Sequence, residues 1–457
     1  MTCIADYIGK SAVENVKNAL AAARRNDSHN ALLALTEERA LKQAELVDAG
    51  KISGRLAGVP FVVKDNFLAF GAPTTAASEI LKEFYTPIQA TAIERLEAEG
   101  AVCIGKANLD AFAHGGSTEN SAFEPTKNAI DTSRVSGGSS GGSAVVTALG
   151  IVPFALGSDT GGSIRQPASF NGVFGMKPTY GMVSRYGVVA MASSTDVVGC
   201  FTTNVEDIEL VLSIMSGKDA HDMTTLASYF IPTQLKKPLK IGLIKECITN
   251  DLDQEVKQAT YDYVDELRGH GHIVEEVSLP MLKHALAMYY IIVPAEITSN
   301  LARYDGVRYG RRAKDVADLA DLYGKSRNEG FVTENKRRIM IGSYVLSSGF
   351  FDAYYLQAQK ARTVLIQQFD DIFESFDILL TPTAPTPAFK LGENTADPIK
   401  MYLSDIMTVP ASLAGLPAIS VPAAMTTGGL PIGVQLIGPQ KSDATILALA
   451  KQNKGMK

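Results

Sequence analysis

LAGVPFVVKDNF (56–67) carries a short apolar strand, Val59 to Val63, that ends at Lys64. ATAIERLEAEG (90–100) follows as an amphipathic helix stopped by Gly100, and AVCIGK (101–106) as a buried strand. Strand, helix, glycine and strand in succession indicate an α/β unit. Upstream, residues 11–50 read as helical, because Ala, Leu, Glu, Lys and Arg dominate and Gly and Pro are absent until Gly50. Downstream, residues 115–200 are rich in Gly, Ser and Thr but enclose apolar islands, AVVTALG and IVPFALG, suited to a core, and read as loops packed between core elements.

The α/β rhythm resumes after residue 200. NVEDIELVLSIMSG is a helix with Asn204 as its N-cap, LKIGLI a strand, EVKQATYDYVDELRG a helix and HIVEEVSL a strand. Residues 281–375 are mostly helical, and DILLTPTAP, PAISVPAAM and PIGVQLIGP are short, proline-bounded strands. Neither a linker nor an internal repeat interrupts the chain. The expectation is one large α/β domain over residues 1–457. Within it lie a helical N-terminal segment (about 1–50), a Gly/Ser-rich core (about 58–200) and a helical region (about 281–375).

Composition narrows the function. The 457 residues hold 43 Lys+Arg against 49 Asp+Glu, a net charge of −6, which argues against a basic nucleic-acid-binding face. The cysteines, Cys3, Cys103, Cys200 and Cys247, are scattered without a CxxC pair, as suits a reducing compartment. The first twenty residues contain early acidic groups and no apolar h-region, and no run approaches 18 apolar residues. A cytoplasmic protein is expected.

SGGSSGGS (136–143) and GSDTGGSIRQP (157–167) hold the chemistry. A flexible linker would not need the apolar islands that flank both. Gly137-Gly138-Ser139-Ser140-Gly141 fits the G-x-S-x-G elbow, but none of the candidate bases, His221, His270, His272 and His284, sits in a marked loop context. A third reading uses both segments. Consecutive glycines let backbone approach a substrate, and Thr160-Gly161-Gly162-Ser163 could aim several N–H groups at one oxyanion beside a Ser163 nucleophile. A serine needs a base, and a lysine serves if burial lowers its pKa towards ~7–8. Lys64, at the end of an apolar strand, fits that description.

GGSSGGS followed by GSDTGGSIRQPA, with a lysine after an apolar strand upstream, resembles the amidase signature family. The resemblance runs from about residue 5 to 440. It implies a layered α/β/α fold on a large mixed central sheet, and a Ser–cis-Ser–Lys triad. By motif, Lys64 is the base, Ser139 the relay preceded by a cis peptide, and Ser163 the nucleophile. Thr160, Gly161, Gly162 and Ser163 form the oxyanion hole. A relaying hydroxyl can donate and accept at once, so Lys64 and Ser163 need not touch.

GGSTENSAFEPTKN (115–128), GMKPTYGMVSRYG (175–187), ENKRRIMIGSYVLSSGFFDAYYLQAQKAR (334–362) and MYLSDIMTVPASLAGLPAISVP (401–422) are similar, within that family, to the glutaminase subunits of tRNA-dependent amidotransferases. That likeness implies glutamine as substrate, with Arg338 and Asp405 binding it. A guanidinium fork suits the α-carboxylate and a carboxylate the α-ammonium. It implies no cofactor or metal in this chain, and ATP and Mg²⁺ in a partner. It also implies that the partners are the B and C subunits of such a complex, with tRNA reached mainly through the B subunit. A stand-alone amidase acting on another small amide is the alternative, and would not require the Arg338/Asp405 pair.

The chain departs from the family pattern at His114, where methionine is expected, and at Glu124 and Ala129, where glycine and proline are more usual. Asp159 and Arg165 read as loop braces, His270 and His272 as a turn rather than a metal pair, and Phe350, Phe351, Tyr354 and Tyr355 as helix packing.

Overall fold

The computed structural model describes residues 2–452. Eleven strands form one sheet: β1 Leu32–Leu35, β2 Pro60–Lys64, β3 Val102–Ala107, β4 Phe154–Asp159, β5 Phe174–Lys177, β6 Val197–Thr202, β7 Lys240–Ile244, β8 Ile273–Val277, β9 Ile378–Pro382, β10 Ala418–Met425 and β11 Pro431–Ile437. Their order is β1-β3-β2-β4-β6-β5-β10-β11-β9-β7-β8. The β3-β2-β4 and β9-β7-β8 groups are parallel and the remaining pairings antiparallel.

Both faces of the sheet are covered, so the inner strands β2, β3, β4, β6 and β11 are buried at every position. Strand alternation divides β2 between two layers. Val62 joins Ile104 and Ala155 against Val16, Leu20, Val145 and Val146 of the helices Ala12–Arg25 and Gly141–Ala148. Phe61 and Val63 face Ile93, Leu96, Ile208 and Leu212 of the helices Thr91–Ala98 and Val205–Met215. Phe61 and Phe154 stack at 5.2 Å across the β2–β4 pair, each ring's burial contributing ~2–3 kcal/mol. The expected helix–sheet–helix architecture is therefore observed. Asn204 also caps its helix, accepting from the Asp207 amide at 2.8 Å.

The segment read as helical from 11 to 50 is divided. A helix covers Ala12–Arg25 and another Glu37–Asp48, but Leu32–Leu35 is strand β1, paired antiparallel to β3 with Leu32 opposite Ala107. Leu and Ala favour helix locally, and pairing with the exposed edge of β3 overrides that preference. The turn before it contains Asn30 at φ 50°, a left-handed conformation that asparagine tolerates.

The helical region beyond residue 281 comprises Leu282–Leu301, Leu319–Gly330, Thr333–Val345 and Leu356–Phe373. Thr333–Val345 crosses Leu282–Leu301 in close contact. A Cβ on Gly342 would lie 1.9 Å from the Pro294 carbonyl oxygen, so only glycine allows that approach. No helix among the described residues is long and apolar enough to cross a membrane.

Candidate active site

Lys64 is the last residue of β2, and Asp159 ends the parallel neighbour β4, with Phe61 paired to Phe154. Side chains beyond the carboxyl ends of adjacent parallel strands converge on one crevice. Lys64 is fully buried, and its Nζ donates to Ser139 Oγ at 2.8 Å, Ser158 Oγ at 3.0 Å and the Ser158 carbonyl at 3.3 Å. Asn66 Nδ2 donates to the same Ser158 hydroxyl at 3.0 Å. Burial brings the Lys64 ammonium down to about 7, against the opposing pull of Asp110, Asp159 and Asp196. An amine that titrates near neutrality can take and return a proton.

Ser139 follows a cis peptide from Gly138 and leads directly into the helix Gly141–Ala148. Its loop lies against the Ser163 loop, and the Ser140 amide donates to the Ser163 carbonyl at 3.2 Å. Among the described residues no hydrogen bond joins the Ser139 and Ser163 hydroxyls, contrary to the expected continuous relay. Serine has three staggered χ1 positions, and the hydrogen bonds of a reacting group commonly tighten only with substrate bound. The amides of Gly161, Gly162 and Ser163 donate to no acceptor among the described residues, which leaves them free for an oxyanion. Gly162 has φ 153°, and a Cβ there would meet Thr408 Oγ1 at 2.1 Å.

The Ser163 loop is braced on both sides. Arg165, fully buried, donates through Nε and NH2 to Asp159 at 2.9 and 2.8 Å, and through NH1 to the Thr408 carbonyl and Gln435 Oε1. Burial alone would raise the Asp159 carboxyl, but the guanidinium holds it below its ordinary value. Thr160 Oγ1 donates to Asp196 at 2.6 Å. The loop-bracing role read for Asp159 and Arg165 is what the geometry shows.

Arg338 and Asp405 line one cavity, with Gly116, Ser117, Tyr290, Glu334 and Tyr402 also in its wall. Lys64, Ser139 and Ser163 are not part of that wall. The two regions adjoin through Gln166, which donates to the Gly116 carbonyl and accepts from the Gly138 amide, and through Thr408, whose hydroxyl donates to the Asp405 carbonyl. Burial pushes the Asp405 carboxyl up to about 8, opposed by Arg338.

His114 is buried, and Asn335 Nδ2 donates to its Nδ1 at 2.7 Å and to the Ala111 carbonyl at 2.8 Å. Burial, with Arg338 nearby, holds its pKa well below the ordinary value, so the ring is neutral. His272 accepts from the Leu239 amide at Nδ1 and meets Gln452 at Nε2, which occupies both nitrogens structurally. No group of metal-ligating residues occurs among the described residues. Tyr344, Phe350 and Tyr354 pack on one another, and Phe351 on Tyr355.

Sequence reasoning missed Ser158, Asn66, Glu334, Tyr290 and Tyr402. Ser158 stands inside GSDTGGS, and Glu334 stands four residues before Arg338, a spacing that puts both on one helix face. The tyrosines carry no local signal.

Residues 14–447 match the family described as Amidase. The A subunit of glutamyl-tRNA(Gln) amidotransferase from Cyanothece sp. is 53% identical over 420 residues, covering 90% of this chain and 87% of that protein. The protein of the same name from Gloeobacter violaceus is 49% identical over 452 residues, covering 96% and 92%. The crystal structure of the Thermotoga maritima protein of that name superposes with a TM-score of 0.82 at 38% identity, over 99% of this chain and 94% of that one.

Proposed function

The chain belongs to the amidase family, and from that premise we propose that it is the glutamine-hydrolysing component of a tRNA-dependent amidotransferase. The whole chain acts as one amidase unit. It releases ammonia from glutamine for conversion of Glu-tRNA(Gln) to Gln-tRNA(Gln) in a complex with the B and C subunits. The B subunit is the main contact for tRNA, and ATP and Mg²⁺ serve the partner's step. The observation that carries the hydrolytic reading is the buried Lys64 amine, lowered to about 7 and donating to Ser139 at 2.8 Å.

In the proposed mechanism Ser163 Oγ attacks the side-chain amide carbon while Ser139 accepts its proton and passes its own to neutral Lys64. The free amides of the Thr160–Ser163 loop receive the oxyanion, where each well-placed donor contributes ~3–4 kcal/mol. Collapse of the adduct breaks the C–N bond, and the proton returns through Ser139 to the departing ammonia. Water, deprotonated by the same relay, then cleaves the glutamyl ester and frees Ser163. Arg338 and Asp405 hold the α-carboxylate and α-ammonium. Asp405, raised by burial, releases its proton as the ammonium approaches.

Two experiments test this reading. Purification of the native protein at physiological salt is expected to yield two further subunits, and a lone monomer active on glutamine would contradict the complex. Arg338→Ala is expected to lower kcat/KM for glutamine by at least about tenfold more than for 4-aminobutanamide, the same amide without the α-carboxylate. Equal losses on the two amides would remove Arg338 from carboxylate binding.

A further inference from the structure

Arg338 and Asp405 line one cavity, and no ion pair within 4.0 Å joins them among the described residues. With the Asp405 carboxyl protonated in the empty pocket, the charge of the buried guanidinium must be answered elsewhere. The group that answers it is on its own helix. Glu334 is itself buried, at 6% exposure, and its Oε1 accepts from Arg338 Nε at 2.8 Å and from the Tyr402 hydroxyl at 3.0 Å. Its other oxygen is bonded by Arg337. Tyr290 and Tyr402, stacked with centroids 3.9 Å apart, lie against the guanidinium at 5.2 and 5.6 Å from its carbon.

Resting on the glutamine reading above, we propose that Glu334 is a positioning residue that keeps Arg338 open for the α-carboxylate of the substrate. A planar guanidinium offers a carboxylate two bidentate edges, one of which includes Nε. Glu334 takes Nε, so the terminal edge, NH1 and NH2, is the one left, and neither of these nitrogens donates to a protein group among the described residues. Glu334 also answers the Arg338 charge in the empty pocket, where Asp405 holds its proton. Both ends of the cavity stay unpaired, one for a carboxylate and one for an ammonium. Tyr402 and Arg337 hold Glu334 in turn, which ties the short helix Pro398–Leu403 to the helix that bears Arg338.

The test compares L-glutamine, 4-aminobutanamide and glutaric acid monoamide, which lacks the α-ammonium, on the full chain with whatever partners accompany it. Glu334→Gln keeps the shape and removes the charge. It is expected to raise KM for glutamine and for glutaric acid monoamide at least about tenfold, with kcat changed less than about threefold. The loss on 4-aminobutanamide is expected to be at least about tenfold smaller. A residue that merely braced the helix would lower all three alike, and that result, or a fall confined to kcat, overturns the proposal. Tyr402→Phe, which takes one donor from the same Glu334 oxygen, is the second arm. A smaller loss of discrimination in the same direction supports the proposal, and unchanged discrimination overturns it even if Glu334→Gln does not fold. If the unmodified protein uses 4-aminobutanamide as well as glutamine, the glutamine reading itself fails, and Glu334 has no carboxylate to serve.

Discussion

Ser163→Ala is expected to abolish glutamine hydrolysis, by at least about 10⁴-fold, while the fold stays intact. The size follows from what is lost. Without Oγ there is no acyl-enzyme, and triad deletions of this kind leave only what binding and the oxyanion donors supply. The intact fold follows from the side chain's surroundings. Ser163 is 8% exposed and its hydroxyl makes no hydrogen bond among the described residues, so its removal costs the structure little, ~0.5 kcal/mol or less. The braces of its loop, Arg165 to Asp159 and Thr160 to Asp196, do not involve the Ser163 side chain. Ammonia release, measured beside the apparent thermal midpoint, checks both halves. Turnover within tenfold of the parent in a protein with an unchanged midpoint would move the nucleophile elsewhere.

The strand that carries Lys64 was legible because it is buried on both faces. Val59-Pro60-Phe61-Val62-Val63 is an apolar run bounded by turn residues, and it became β2, whereas IVPFALG shows itself only as an apolar island among loops and became the parallel neighbour β4. Leu32–Leu35 was not legible. Four residues of Leu and Ala carry no alternation, and their conformation is decided by a β3 edge some seventy residues away. The order of the sheet was likewise beyond local pattern, since β5 lies between β6 and β10 through contacts spanning more than two hundred residues.

Lys64, Ser139 and Ser163 could be singled out because each stands in a short motif whose composition departs from its surroundings. Arg338 could not be told by residue type from Lys336 and Arg337 beside it, and only the motif distinguished it. In the structure Arg337 reaches the outer oxygen of Glu334, while Arg338 turns inward at 3% exposure. Two helical positions one residue apart face about 100° apart, and which of them meets the core is settled by the crossing at Gly342 and Pro294. The groups that hold Lys64, Ser158 and Asn66, were missed for a similar reason, since a hydroxyl immediately after an apolar run gives no sign that it accepts from two donors at once.

Lys64→Arg is expected to be as inactive as Lys64→Ala, at least about 10³-fold below the parent, although it keeps the positive charge. The base must be neutral when Ser163 attacks. Burial lowers the Lys64 amine from 10.5 to about 7, a loss of ~5 kcal/mol in preference for its charged form. Guanidinium stays protonated far above that pH and has no lone pair with which to accept a proton. The same shift sets the pH profile. Below about 7 the folded protein holds Lys64 protonated, so kcat/KM is expected to fall about tenfold per pH unit, and above it to level off. The stability linkage has its own sign. Between about 7 and 10.5 the unfolded chain binds a proton at this residue that the folded chain does not, so stability gains from this group as pH rises through that window. At pH 7 the buried amine therefore destabilises the fold, and Lys64→Met, apolar and of similar length, is expected to be inactive with a thermal midpoint at or above that of the parent. A kcat/KM flat from pH 5 to 8, or substantial activity in Lys64→Arg, would end the serine–serine–lysine assignment.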